Sequence, residues 1–437
     1  MPTKFEMQRF LSSALLSILV AAPSYGAGFG VFQQGAKAMG MAGAFTAQAD
    51  DPSAMFHNVG GLAHQKERAF QLGATLVSIG ATDFEGSESG FAAGATERSE
   101  AQLVIPPHFY WVEPLGDRWT FGLAVNSPFG LTSEWQGGDF SGRFLSRKAS
   151  LRSLDVGTNL ACKVSETLGV GFGVIVRFSE VELVRNLPGF DPWSGQLVDI
   201  AEITLASDLD SGIGYQMGLS SHPNSSWSWG LSYRSKIEVD YDGDGRLRQI
   251  LASNAELDAP ISATIPFGRD LPFSMTIEFP DMASLGLAVK PSPDWLVELD
   301  INWTGWSSLT EYAIRFSQSP EFDLTLPQRW EDVYNYRLGV SRSSGSAGAR
   351  AGVRGSQWRF GISFDQTPQP LTTLDPLLPD GDQSAVTLGY GFQKSSASVD
   401  FALMYLDVEE RTTRVNINGY NGTYASSALL FASTVTW

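Results

Sequence analysis

Arg177 stands in a run whose other members carry no charge. Leu168, Val170, Phe172, Val174, Val176 and Phe178 alternate with Gly169, Gly171, Gly173, Ile175, Arg177 and Ser179. A guanidinium keeps its charge and can grip a carboxylate through two parallel hydrogen bonds. Three glycines on its own face leave space beside it, so the pattern nominates Arg177 as the contact for an anionic headgroup. Arg234 and Arg337, each after a tyrosine, occupy equivalent places in their own runs. A ladder of ion pairs with acids such as Glu298 and Asp300 is the competing reading. No catalytic constellation is present: the chain has no G-x-S-x-G, no H-E-x-x-H and no P-loop. His57, His64, His108 and His222 are dispersed without metal-ligand spacing. Asp242-Gly243-Asp244-Gly245 has part of a calcium loop but not its downstream glutamate, and reads as a polar hairpin tip. Neither a metal nor a cofactor is expected, and the chain is not expected to be an enzyme.

Such inward residues need a scaffold with two faces. Trp295, Val297, Leu299, Ile301 and Trp303 share one face of an extended strand, and Leu296, Glu298, Asp300 and Asn302 the other. An apolar face with an indole at each end suits a strand that crosses a bilayer in about 9–11 residues, with aromatics at both headgroup layers. The alternation recurs at Trp119–Asn126, Trp227–Arg234, Trp358–Asp365, Val399–Tyr405 and Leu429–Trp437. Clusters at Ser221–Ser226, Asp242–Gly245 and Ser343–Gly348 read as turns. Repeated strands without a long helix predict an all-β transmembrane antiparallel barrel, which leaves no unpaired edge in lipid.

Composition agrees. Mean hydropathy is -0.07, too polar for a bundle of spanning helices, and 45 glycines with 12% aromatics suit turns and girdles. A single cysteine, Cys162, excludes an intrachain disulfide framework. The formal charge of -17 argues against nucleic acid as a partner. Acidic loops would face outer-membrane lipid and lipopolysaccharide.

Lys4 and Arg9 precede an apolar run from Phe10 to Ala22, then Pro23, Ser24, Tyr25 and Gly26. The run is too short to span a bilayer and has the form of a secretory signal, cleaved after Gly26. Domains are therefore expected at 1–26 (signal), 27–68 (plug) and 69–437 (barrel). Residues 27–63 are rich in Gly, Ala and Met and do not alternate. Ala27-Gly28-Phe29, Gly40-Met41-Ala42-Gly43-Ala44 and the stretch from Ala49-Asp50-Asp51-Pro52 to His57-Asn58, with Gly61-Leu62, resemble the amino-terminal hatch of the FadL-type long-chain fatty-acid and hydrocarbon transporters. Ser127-Pro128-Phe129-Gly130-Leu131 with Trp135 and Gly142-Arg143 resembles that family's third extracellular loop. Trp303-Thr304-Gly305-Trp306-Ser307 resembles its strand-end motif, Pro376-Leu377-Leu378-Pro379-Asp380 its late loop, and Asn421-Gly422-Thr423-Tyr424 its approach to the last strand.

The resemblance implies about fourteen strands, a hatch in the lumen, and passive uptake of a fatty acid or hydrocarbon. An external groove would collect the ligand, an internal apolar pocket would hold it, and a gap in the wall would release it into the membrane. On that reading Phe29, Val31 and Phe32 lie near the ligand. Phe129, Leu131, Trp135, Phe140 and Phe144 form the collecting loop, and Arg177 meets a carboxylate. Asn58-Val59-Gly60 stands where the family has Asn-Pro-Ala, so the hatch turn lacks its proline, and Gly60 is the residue able to supply the bend. The chain ends in Trp437 where members usually end in Phe, still an aromatic signal for the barrel-assembly machinery. A monomer in the bacterial outer membrane is expected. A structural or adhesion barrel and an outer-membrane lipase are the rival classes, and a barrel that only displays loops has no need of an internal plug.

Overall fold

The computed structural model describes residues 28–88, 90–252, 254–344 and 353–437; the expected signal lies outside the described residues. Fourteen strands form a closed antiparallel ring. They are β1 (Ala69–Ile79), β2 (Pro107–Leu115), β3 (Trp119–Asn126), β4 (Lys148–Lys163), β5 (Leu168–Asp191), β6 (Asp210–Ser221) and β7 (Trp227–Arg234), then β8 (Met282–Ser292), β9 (Trp295–Thr304), β10 (Val333–Ser344), β11 (Val353–Asp365), β12 (Gln383–Lys394), β13 (Ala397–Thr413) and β14 (Gly422–Thr436). Each pairs with the next, and β14 closes on β1 from Thr436–Gln71 to Ala428–Ile79. The alternation works as the sequence requires. On β9, Leu299 and Ile301 face outward while Glu298, Asp300 and Asn302 are buried inside. A one-residue slip would put both carboxylates into lipid, so the register is strongly specified.

At one end the connections are short: 116–118, 164–167, 222–226, 293–294 and 395–396, with the carboxyl terminus beside them. Outer-membrane barrels carry short turns on the periplasmic side and long loops outside. The opposite, long-loop end continues upward as an extra sheet. The upper half of β5 pairs with Gln196–Ser207, which pairs with Ile237–Gln249, then Asp270–Phe279, Glu311–Phe316 and Leu324–Pro327. The expected turn at Asp242–Gly245 is thus a correction, because these residues lie inside the strand Ile237–Gln249. Glycine and aspartate are poor strand formers in isolation, but Ile237, Val239 and Tyr241 turn inward and leave Glu238, Asp240, Asp242 and Asp244 in water. Part of the other expected turn, Ser343–Gly348, lies outside the described residues.

The wall is interrupted between β2 and β3. The β2–β3 ladder stops at Phe109–Val125, and a single bridge, Ser99–Trp135, resumes ten residues further along both chains in the same register. Between them the chain turns inward at Ser127-Pro128-Phe129. There it pairs with the amino-terminal segment: Val31 N donates to Pro128 O at 2.7 Å, and Gly130 N to Phe29 O at 3.0 Å. Leu103 and Ile105, on the facing stretch, are exposed apolar side chains. Pro128 has no N–H to lose from the ladder, which makes it suited to a break in a strand.

Candidate functional site

Phe29 is fully buried at the centre of an aromatic cage. Its ring centroid lies 4.7 Å from Trp306, 5.6 Å from Trp330 and 5.9 Å from both Phe129 and Phe279, mostly edge to face. Each wall has its own origin. Phe129 comes from the inward bend, Phe279 from the barrel end of its strand, and Trp306 from a turn that begins at Gly305 directly after β9. A Cβ on Gly305 would lie 2.4 Å from Asp281 Oδ1, so the turn that delivers Trp306 needs glycine. Gly28 allows the closest approach, since a Cβ there would lie 2.6 Å from Trp330 and 2.8 Å from Trp306.

Arg177 forms the floor of the cage. Its guanidinium stacks 4.4 Å from the Phe129 and Phe279 rings and binds Asp155 in bidentate fashion, Nε to Oδ1 at 2.7 Å and Nη2 to Oδ2 at 2.8 Å. Its charge therefore has a partner inside the protein. Arg337 is likewise paired with Asp365 at 2.9 Å, and Arg359 with Asp400 at 2.7 Å. The glycines beside Arg177 open no cavity. Cβ atoms at Gly169 and Gly171 would meet Ala63 and Val59 of the plug, and one at Gly173 would meet Asn159. These glycines let hatch backbone lie directly on barrel backbone.

Asn58, Val59 and Gly60 are that hatch backbone. Asn58 Nδ2 donates to Thr46 O at 2.8 Å and to Leu219 O at 2.9 Å, while its Oδ1 accepts from Gly60 N at 3.0 Å. A Cβ on Gly60 would come within 2.8 Å of Gly218 backbone. The side chain of Asn58 thus holds the turn that a proline would otherwise shape.

The remaining candidates separate into two groups. Phe129 and Leu131 join the largest apolar cluster, together with Leu377, Leu378 and the inner face of the extra sheet; Phe32 packs on its margin with Arg337 5.2 Å above its ring, and Val31 is buried beside the bend. Trp135 and Phe140 instead stack on each other at 4.8 Å in a separate cluster with Phe84, Leu374 and Tyr420, and Trp135 Nε1 donates to Pro376 O. They tie loops together and present no open face. Phe144 lies under the Arg143 guanidinium.

One residue escaped the sequence reading. Arg185 sits on the inner face of the extra sheet between Leu183 and Leu187, opposite Ile203. It is half-buried, and among the described residues it has neither an ion pair nor a hydrogen bond; its Nε is buried and unpartnered. Nothing in its neighbours' types marks it as unpaired, because Leu183 and Leu187 on the same face say nothing of what lies opposite. Asp380, in the loop 366–382, accepts from Gly28 N at 3.1 Å, and burial pushes its carboxyl up to about 6. Asp375 is raised to about 6 by the same cause.

Two crevices inside the barrel are small. The crevice bordered by Ile79, Gln102, Leu131, Leu378 and Asp380 holds about 40 Å³, and the one between Phe32, Thr46, His57 and Arg337 about 50 Å³. Both have room for a few waters and none for a hydrophobic ligand. A cavity of about 750 Å³ forms the periplasmic mouth around Asp50, His64, His222 and Arg359, and a second of about 530 Å³ lies on the extra sheet between Asp240, Ser274, Glu311 and Arg315. Phe29 occupies the centre of the apolar cage.

A family model described as outer membrane protein transport protein (OMPP1/FadL/TodX) matches residues 17–437. The long-chain fatty acid transport protein of Escherichia coli K12 is 21% identical over 97% of each chain. The crystal structure of a Pseudomonas aeruginosa FadL homologue superposes with a TM-score of 0.78 at 21% identity, covering 94% of this chain and 99% of that one. That of the Pseudomonas putida toluene transporter TodX gives 0.68 at 18% identity, over 94% and 97%. At such identities the structural likeness speaks for the fold.

Proposed function

The chain belongs to the OMPP1/FadL/TodX family of bacterial outer-membrane transport proteins for hydrophobic compounds, and on that premise we propose that its substrates are long-chain fatty acids. The ligand is collected on the apolar inner face of the extra sheet, near Leu131 and the rim formed by Leu183, Leu187, Phe267 and Phe322. It then displaces Phe29, with Val31 and Phe32, from the cage and leaves sideways between β2 and β3. The observation that carries this reading is the wall interruption at Ser127–Phe129, which adjoins a buried apolar cluster and opens onto lipid beside Leu103 and Ile105. Each methylene moved from water into such a cluster contributes about 0.8 kcal/mol, so a long acyl chain supplies ample affinity.

A carboxylate cannot follow its chain into an apolar wall without a partner. Arg185 is the cation we assign to it, because Arg177 is already saturated by Asp155. Trp135, Phe140 and Phe144 then serve by holding the loop that bends inward, not by touching ligand. Uptake of radiolabelled oleate by cells lacking their own transporter tests the reading: expression should restore it, and Arg185→Met should reduce it. An alternative within the same architecture is a monoaromatic hydrocarbon, favoured by the four rings that hold the Phe29 benzene ring; toluene uptake that does not depend on Arg185 would support it. The ring closed within a single chain is in keeping with a monomer.

A further inference from the structure

Glu298 and Asp300 are the anomaly of the lumen. Both are fully buried on the inward face of β9, and among the described residues neither has a cationic partner, whereas Asp155, Asp365 and Asp400 each face an arginine. Burying two neighbouring carboxylates without a cation is costly unless donors converge on them. Four do, all from consecutive backbone amides of the plug. Phe45 N and Thr46 N both donate to Asp300 Oδ2 at 2.9 Å. Ala47 N and Gln48 N donate to Glu298 Oε1 at 2.7 and 3.2 Å. Each group thus turns one oxygen to two plug amides and leaves the other, Glu298 Oε2 and Asp300 Oδ1, buried without a hydrogen-bond partner among the described residues.

The rest of the turn is socketed with equal closeness. Thr46 O accepts from Asn58 Nδ2 at 2.8 Å, and a Cβ on Gly230 would lie 2.0 Å from that same oxygen. A Cβ on Gly286 would lie 2.5 Å from Asp300 Oδ1 and 2.8 Å from Ala47 N. β7 and β8 therefore supply glycine where the turn touches, and β9 supplies the two acceptors. The first plug residues are held by contacts of a different kind: the Gly28–Asp380 bond, the bridge to Pro128 and Gly130, Gln34 Nε2 to Ser127 O at 2.9 Å, Thr75 Oγ1 to Gln33 O at 3.1 Å, and the packing of Phe29.

We infer that Glu298 and Asp300 are positioning residues that pin the middle of the plug to the barrel wall through the amides of 45–48, so that this turn stays seated while a ligand displaces Phe29. The plug then stays a seal against ions while Phe29 leaves its cage. This rests on the uptake reading above, but its test needs no ligand.

Hydrogen exchange on the full chain in detergent micelles should show the amides of 45–48 as protected as those of the strand ladders. In E298Q/D300N those amides should exchange at least about tenfold faster, because each oxygen loses its charge-assisted bonds. Ion conductance in planar bilayers, near zero for the unaltered protein, should rise while oleate uptake persists. A purely structural role would lower heat stability without opening a conducting path. Should E298Q/D300N lose the heat-modifiable band of a folded barrel, G286A keeps both carboxylates and should displace the same turn. Rapid exchange at 45–48 in the unaltered protein, or unchanged exchange and conductance in the variants, would overturn the inference. Pinning that holds in a barrel with no oleate uptake would instead refute the functional reading alone.

Discussion

Phe29→Ala tests whether the plug competes with its own ligand. Phe29 has no exposed surface and touches four aromatic rings at 4.7–5.9 Å. Removing a buried phenylalanine costs about 3–5 kcal/mol where the site cannot collapse. A ligand that must expel Phe29 forfeits up to that amount, and in the variant it does not. At 1.4 kcal/mol per tenfold, the ceiling on the gain in affinity is roughly two to three and a half orders of magnitude. The plug relaxes on losing the side chain, so a gain of at least about tenfold is the expected result. Equilibrium dialysis of radiolabelled oleate against purified protein in detergent reads it directly. The variant should also lose heat stability when empty and recover it with saturating ligand, by mass action. Affinity that stays the same or falls would show that Phe29 is a wall of the site and not an occupant.

Arg185→Met should weaken oleate binding at least about tenfold and leave toluene unaffected, since a charge-assisted hydrogen bond is worth about 1.5–3 kcal/mol. Arg177→Met leaves the buried Asp155 with only the longer 3.7 Å pair to Arg234 and should lower stability by up to about 3–5 kcal/mol, with any loss of binding equal for charged and neutral ligands. Asp375 and Asp380 titrate near 6 instead of 3.8, so the folded loop holds protons more tightly than the unfolded one. Stability should therefore rise as pH falls from 7 towards 4, by up to roughly 3 kcal/mol for each group. A thermal-shift series should show that slope in the unaltered protein and a flat profile in D375N/D380N. Spin labels at 297 and 298 should differ in oxygen accessibility, with 297 the greater, because Val297 faces lipid and Glu298 the lumen; the reverse order would refute the β9 register.

The strands were legible because lipid on one side and a polar lumen on the other impose period two, as β9 and β11 show residue by residue. Above the membrane that constraint ends, and so did the reading: Asp242–Gly245 looks like a turn but is held in a strand by its neighbours. The lumen arginines were located correctly as inward, yet their partners depend on cross-barrel neighbours such as Asp155 on β4, which no single run reveals. Glu298 and Asp300 were visible as inward acids. That they bind plug amides and not arginines follows from how the chain folds back 250 residues, a contact that alternation does not encode. Arg185 was missed because being unpaired is a property of its surroundings.

The central claim is that ligand leaves through the wall and not through the floor. A diazirine-bearing fatty acid can be supplied to cells, illuminated, and its adducts mapped by peptide mass spectrometry. Adducts at Leu103, Ile105 and the 127–131 bend, beside β2 and β3, are the predicted result. Adducts confined to Gln48, His64 and His222 at the periplasmic mouth, with none at the bend, would contradict it.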